Sequence, residues 1–170
     1  MSVETEFTAY AAAQAQRLRD TAYLLCGDWH TAQDLTQTTL AKLYTAWRRV
    51  ERSENINAYA RQVMLRTFLD SRRLKRSTER PMADMPDSAA PAGSDPTLRL
   101  TLLSALAQLP LNRRAVLVLR FWEDQSVEAT GAAMGLSTSA VKSLTQRALA
   151  ELRTVLRDDE AMTELDFLLV

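Results

Sequence analysis

Apolar residues recur at three- and four-residue steps over most of the chain, and no stretch alternates apolar with polar for long. The pattern predicts an all-α protein. In the first half, helical runs cover Glu4 to Leu25, then extend to about Val50, then run from Asn55 or Asn57 to about Lys75. Gly27 suits a left-handed helix end, and Asp28 suits the cap of the helix that follows. In the second half, runs cover Pro96 to Leu109, Pro110 to Trp122 and Val127 to Met134, the last capped by Ser126. A final amphipathic helix is capped by Ser137 or Thr138. Its apolar face holds Val141, Leu144, Ala148, Leu152 and Val155.

Prolines change this picture once. Four of the five fall at Pro81, Pro86, Pro91 and Pro96, in "PMADMPDSAAPAGSDPT", which has no aromatic and no base. So polar and proline-rich a segment buries too little to offset its ordering entropy, and it reads as a flexible acidic linker. The predicted organisation is a helical domain of residues 1–80, a linker of 81–96, a second helical domain of 97–157 and an acidic, apolar tail of 158–170.

The second domain contains a short helix, a turn with Gly135 and a second amphipathic helix, which is the order of a helix-turn-helix. Away from its apolar face the second helix carries Ser139, Lys142, Ser143, Gln146 and Arg147, with no carboxylate until Glu151. Lys142 and Arg147 suit guanine or phosphate, Gln146 suits adenine, and the serines suit either. A solvated bundle face would carry a similar pattern. Gly135 between two capped helices favours DNA.

Two more helices carry double stripes. In "DLTQTTLAKLYTAW", Leu40, Leu43, Tyr44 and Trp47 are expected to face a core. Asp34, Gln37, Thr38, Ala41 and Thr45 form a small polar stripe suited to docking against protein. In "NAYARQVMLRTFLDSRRLKR", Ala60, Val63, Met64 and Phe68 are the expected core. Arg61 to Arg80 holds seven bases against Asp70 and Glu79, interleaved with Tyr59 and Phe68, a pattern suited to single-stranded nucleic acid.

Charge totals add nothing, since 21 basic and 21 acidic residues cancel. Their segregation hints at interaction surfaces, because Asp158 to Val170 holds five acids and no base. One cysteine, Cys26, excludes an internal disulfide, and with the single His30 it argues against a structural zinc site. Trp29, Trp47 and Trp122 read as core. No phosphate loop, nucleophile elbow or HExxH is present, so nothing supports an enzyme, a cofactor or a catalytic metal. No apolar run is long enough to span a bilayer and no secretory leader is evident, which predicts a cytoplasmic protein.

Three segments in order resemble bacterial sigma factors of the extracytoplasmic-function group, of the small actinobacterial kind. "RLRDTAYLLCGDWHTAQDLTQTTLAKLYTAWRRV" resembles the first stretch of sigma domain 2. "AYARQVMLRTFLDSRR" resembles its promoter-melting helix. "ALAQLPLNRRAVLVLRFWEDQSVEATGAAMGLSTSAVKSLTQRALAELR" resembles sigma domain 4. The resemblance implies a dissociable specificity subunit of RNA polymerase. Its domain 2 binds the clamp of the largest subunit and captures the −10 element. Its domain 4 binds the flap of the second-largest subunit and reads the −35 element. An anti-sigma protein is a further partner used in the family.

Carried onto this chain, the clamp role falls on Asp34, Leu35, Gln37, Thr38 and Leu40. The −10 role falls on Arg49, Asn55, Asn57, Tyr59, Arg61, Arg66 and Arg73. The −35 role falls on Ser139, Lys142, Ser143, Gln146 and Arg147. Gln33 stands where the family usually has an acid, Gly131 where alanine is common, and "STSAVKS" departs from the usual start of the last helix. A rival reading is a helix-turn-helix regulator with a helical sensor or dimerisation domain, independent of polymerase. The polar stripe around Asp34 discriminates between the two.

Overall fold

The computed structural model describes residues 2–75 and 96–158. The linker reading therefore lies, but for Pro96, outside the described residues, as does the tail beyond Asp158. Every described element is helical. But for Ala133–Gly135, the chain divides into one unit before the undescribed segment and one after it.

The first unit is three helices: α1 (Val3–Cys26), α2 (Trp29–Val50) and α3 (Ile56–Lys75). Gly27 ends α1 in the left-handed region at φ 77°, and its N–H donates to the Tyr23 carbonyl at 2.8 Å. Asp28 then caps α2, its Oδ1 accepting from the backbone N–H of His30 at 3.0 Å and of Thr31 at 3.3 Å. Asn55 caps α3 by accepting from Ala58 N–H at 2.9 Å. The alternative cap, Asn57, lies inside the helix.

Leu18, Ala22 and Leu25 of α1 are buried with Leu35, Leu43 and Trp47 of α2 and with Ala60, Met64, Leu65 and Phe68 of α3. Burying each large apolar side chain is worth about 1.5–3 kcal/mol. Phe7 and Tyr10 of α1 close one end, with ring centroids 5.3 and 5.2 Å from that of Trp47.

The buried line of α2 keeps Leu43 and Trp47 of the predicted core face but not Leu40 and Tyr44. It runs through Ala32, Leu35, Thr36, Thr39, Leu43, Trp47 and Val50, while Tyr44 is exposed and Leu40 half-buried. The two threonines enter the core because each hydroxyl donates back one turn, Thr36 to the Ala32 carbonyl at 2.8 Å and Thr39 to that of Leu35 at 2.7 Å. With the hydroxyl satisfied, the methyl packs as an apolar group.

The second unit contains α4 (Pro96–Gln108), α5 (Leu111–Leu117), a π-helical turn (Val118–Trp122), α6 (Val127–Met134) and α7 (Thr138–Asp158). Residues 114–119 are all buried, so this segment is the central element of its unit. Buried Arg114 donates to the carbonyls of Ala107 at 2.7 Å and Leu109 at 3.2 Å, which closes the C-terminal end of α4. Arg113 pairs with Glu151 and ties α5 to α7.

The π turn, in which Glu123 N–H reaches back five residues to the Val118 carbonyl at 3.0 Å, corrects a second expectation. Trp122 is not core. The turn's extra residue breaks the i, i+4 register, and Phe121 and Trp122 emerge at the surface, 58% and 41% exposed.

Candidate nucleic-acid and polymerase interfaces

Both helices of the helix-turn-helix are capped as their sequences direct. Ser126 Oγ accepts from Ala129 N–H at 3.0 Å at the start of α6, and Ser137 Oγ accepts from Ala140 N–H at 3.2 Å at the start of α7. Between them Gly135 adopts φ +68°, and Leu136 N–H donates to the Gly131 carbonyl at 2.9 Å. Val141, Ala148, Leu152 and Leu156 form the buried line of α7, and Leu144 is half-buried.

All five polar residues of the other face, Ser139, Lys142, Ser143, Gln146 and Arg147, are exposed. From 139 to 147 they cover about 12 Å of helix at roughly 1.5 Å per residue, close to the ~12 Å width of a DNA major groove. Glu151, the next acid along the helix, is engaged by Arg113. The face is thus long enough, polar enough and positive enough to read base edges.

In the first unit the seven predicted −10 residues separate into groups. Arg49, near the end of α2, donates to the Tyr59 hydroxyl at 2.9 Å, and its guanidinium lies 5.9 Å from that ring's centroid. This pair spans the connection between α2 and α3. Arg66 is exposed two turns further along the Tyr59 stripe. Arg73 is in α3 at the same spacing again, with its side chain outside the described residues. Asn55 is committed through its Oδ1 to capping α3.

Asn57 and half-buried Arg61 lie one turn apart on another side, facing α1. There the Tyr10 hydroxyl donates to Asn57 Oδ1 at 2.9 Å. Burial raises the Tyr10 hydroxyl above its ordinary range, and the Arg61 charge pulls the other way. Tyr10 was no sequence candidate, because an isolated tyrosine on an amphipathic helix carries no pattern.

On α2, Asp34, Gln37 and Thr38 are exposed together, as are Ala41 and Thr45 along the same stripe. Leu35 corrects the predicted clamp set. At 7% exposure it belongs to the helical core and offers no surface, because one position along the helix turns it about 100° from Asp34. Leu40 is half-buried at the stripe's edge.

Two helical units, one carrying an exposed helix-turn-helix and the other an arginine- and tyrosine-lined inter-helix connection, define a helix-turn-helix transcription protein. Comparison with known proteins narrows the class. The family model for Sigma-70 region 2 matches residues 10–78, and that for Sigma-70, region 4 matches residues 105–154. The chain is 38% identical over 159 residues to RNA polymerase sigma-E factor of Streptomyces coelicolor, covering 92% of this chain and 90% of that one. It is 39% identical over 123 residues to RNA polymerase sigma-E factor of Streptomyces antibioticus, covering 72% and 68%. Its fold is similar to that of sigma factor RpoE, solved with the anti-sigma factor NepR from Bartonella quintana. The TM-score is 0.76 at 23% identity, over 91% of this chain and 98% of that one.

The chain belongs to the sigma-70 family of RNA polymerase sigma factors, in its extracytoplasmic-function group of actinobacterial type. It is an alternative sigma factor that directs promoter-specific transcription.

Proposed function

We propose that this sigma factor divides its work between its two units. Residues 1–80 act as sigma domain 2, residues 97–157 as sigma domain 4, and residues 81–96 as the linker between them. Asp34, Gln37 and Thr38, with the edge of Leu40, dock on the clamp of the largest polymerase subunit. Arg49, Tyr59, Arg66 and Arg73 follow the backbone and bases of the opened −10 strand, with Asn55, Asn57 and Arg61 beside them. Domain 4 docks on the flap of the second-largest subunit, and Ser139, Lys142, Ser143, Gln146 and Arg147 read the −35 element.

The observation that carries this reading is the clean division of α7, with every one of those five residues exposed and the opposite line buried. The protein contributes specificity and not chemistry, so it is a non-enzymatic subunit. Its place of work is the cytoplasm. Among the described residues no helix is long and apolar enough to cross a membrane. An anti-sigma protein, as bound by the Bartonella sigma factor, is the expected antagonist.

The test is reconstitution with purified core polymerase. Co-elution with core, and run-off transcripts from promoters that core alone ignores, are the expected results. Binding to promoter DNA without any association with core would instead return the protein to the class of independent regulators.

A further inference from the structure

The Tyr10–Asn57 hydrogen bond crosses from the N-terminal helix to the first turn of α3, joining residues 47 positions apart. A carboxamide has two unlike ends, an oxygen that accepts and a nitrogen that donates two protons. Left alone on an exposed residue, it turns freely and offers either end. Here the hydroxyl of Tyr10 occupies the oxygen, while the exposed Asn57 side chain gives its nitrogen no partner among the described residues. Tyr10 itself is held in place, its ring 5.2 Å from that of buried Trp47. Raised by burial, its hydroxyl remains a protonated donor at neutral pH.

We infer that Tyr10 is a positioning residue for promoter selectivity: it fixes the Asn57 carboxamide with its N–H₂ outward, so that this site favours a −10 base presenting an acceptor. The inference rests on the proposed placement of Asn57 at the opened −10 strand. Tyr10 touches no DNA and acts only through Asn57.

The experiment is run-off transcription by core polymerase with the full-length chain, on promoters carrying each of the four bases in turn at every −10 position. Three variants are compared with the parent. Asn57→Ala removes the reader and should flatten preference at one position. Tyr10→Phe keeps the ring against Trp47 and loses only the hydroxyl. It should lower preference at that same position by about two- to tenfold, the range one oriented hydrogen bond supports, with melting temperature and core binding unchanged.

Asn57→Asp still accepts from Tyr10 but presents an oxygen outward, so preference at that position should move toward a base offering a donor. Preference lost with Asn57→Ala but kept in full with Tyr10→Phe overturns the inference and leaves the −10 placement standing. No change with Asn57→Ala at any position overturns both. If Tyr10→Phe fails to fold, the parent compared with Asn57→Asp decides: a parental preference for an acceptor base that reverses in Asn57→Asp supports the fixed carboxamide, and a parent that takes acceptor and donor bases alike refutes it.

Discussion

A Cβ on Gly131 would lie 2.6 Å from the carbonyl oxygen of Leu136, the residue whose N–H donates to the Gly131 carbonyl at 2.9 Å. The two backbones of the helix-turn-helix therefore touch at a point where no side chain fits. This contact sets how α7 leaves the turn, and so where its polar face is aimed.

Gly131→Ala should accordingly destabilise the protein, although alanine is the better helix former by about 1 kcal/mol. The added methyl meets backbone, which yields only if the turn moves, and overpacking of this kind costs about 1–3 kcal/mol. A net loss of up to about 2 kcal/mol is expected in urea unfolding of the full chain. Promoter selectivity at the −35 element should fall with it. A variant as stable as the parent would mean that the turn has slack.

Asp28 gives the first unit an acid-sensitive joint. Burial raises its carboxyl, but hydrogen bonds from Thr31 and from the backbone of His30, helped by the nearby His30 side chain, outweigh this and hold it below the ordinary range. The folded value is thus below the unfolded one. The stability it contributes is complete above the unfolded value near pH 4 and is lost as pH falls through the folded value. Asp28→Asn retains a capping oxygen without the titration, so its stability should vary less with pH below about 4. Asp28→Ala should lose about 1 kcal/mol at neutral pH. Circular dichroism melts from pH 7 to pH 3 check both. Parallel curves for parent and Asp28→Asn would contradict the assignment.

Asp34→Arg tests the polar stripe of α2. The residue is exposed, so the substitution should leave thermal stability within about 0.5 kcal/mol of the parent. A reversed charge in a docked contact costs far more, and assembly with core polymerase should weaken by a few kcal/mol. The comparison is between holoenzyme affinity and melting temperature for the same preparation. Undiminished core binding would remove this surface from the interface.

Much of this was legible in the sequence because it is written in local chemistry. Gly27 and Asp28 mark the α1–α2 joint, Ser126, Gly135 and Ser137 mark the helix-turn-helix, and the polar face of α7 follows from spacing alone. What escaped depends on partners far along the chain or on satisfaction of polar groups. Thr36 and Thr39 belong to neither stripe of the pattern, because a hydroxyl donating back to its own helix leaves no trace in it. Leu35 joined a docking stripe by family likeness, although helix geometry turns it into the core. Trp122 read as core because a π turn has no sequence signature. Tyr10 reaches the candidate site only through the packing of α1 against α3, 47 positions away in the chain.

The central claim is that α7 reads DNA, and one measurement addresses it directly. Run-off transcription by core polymerase is compared on promoters mutated singly through the −35 region, using the parent, Lys142→Ala, Gln146→Ala and Arg147→Ala. A residue bidentate to a base should lose about 1–3 kcal/mol and relax preference at one base pair. A residue on phosphate should weaken all promoters alike and lower the salt slope by about one. The account predicts that the three variants differ from the parent and from one another in these ways. If all three transcribe every promoter as the parent does, α7 does not read the −35 element.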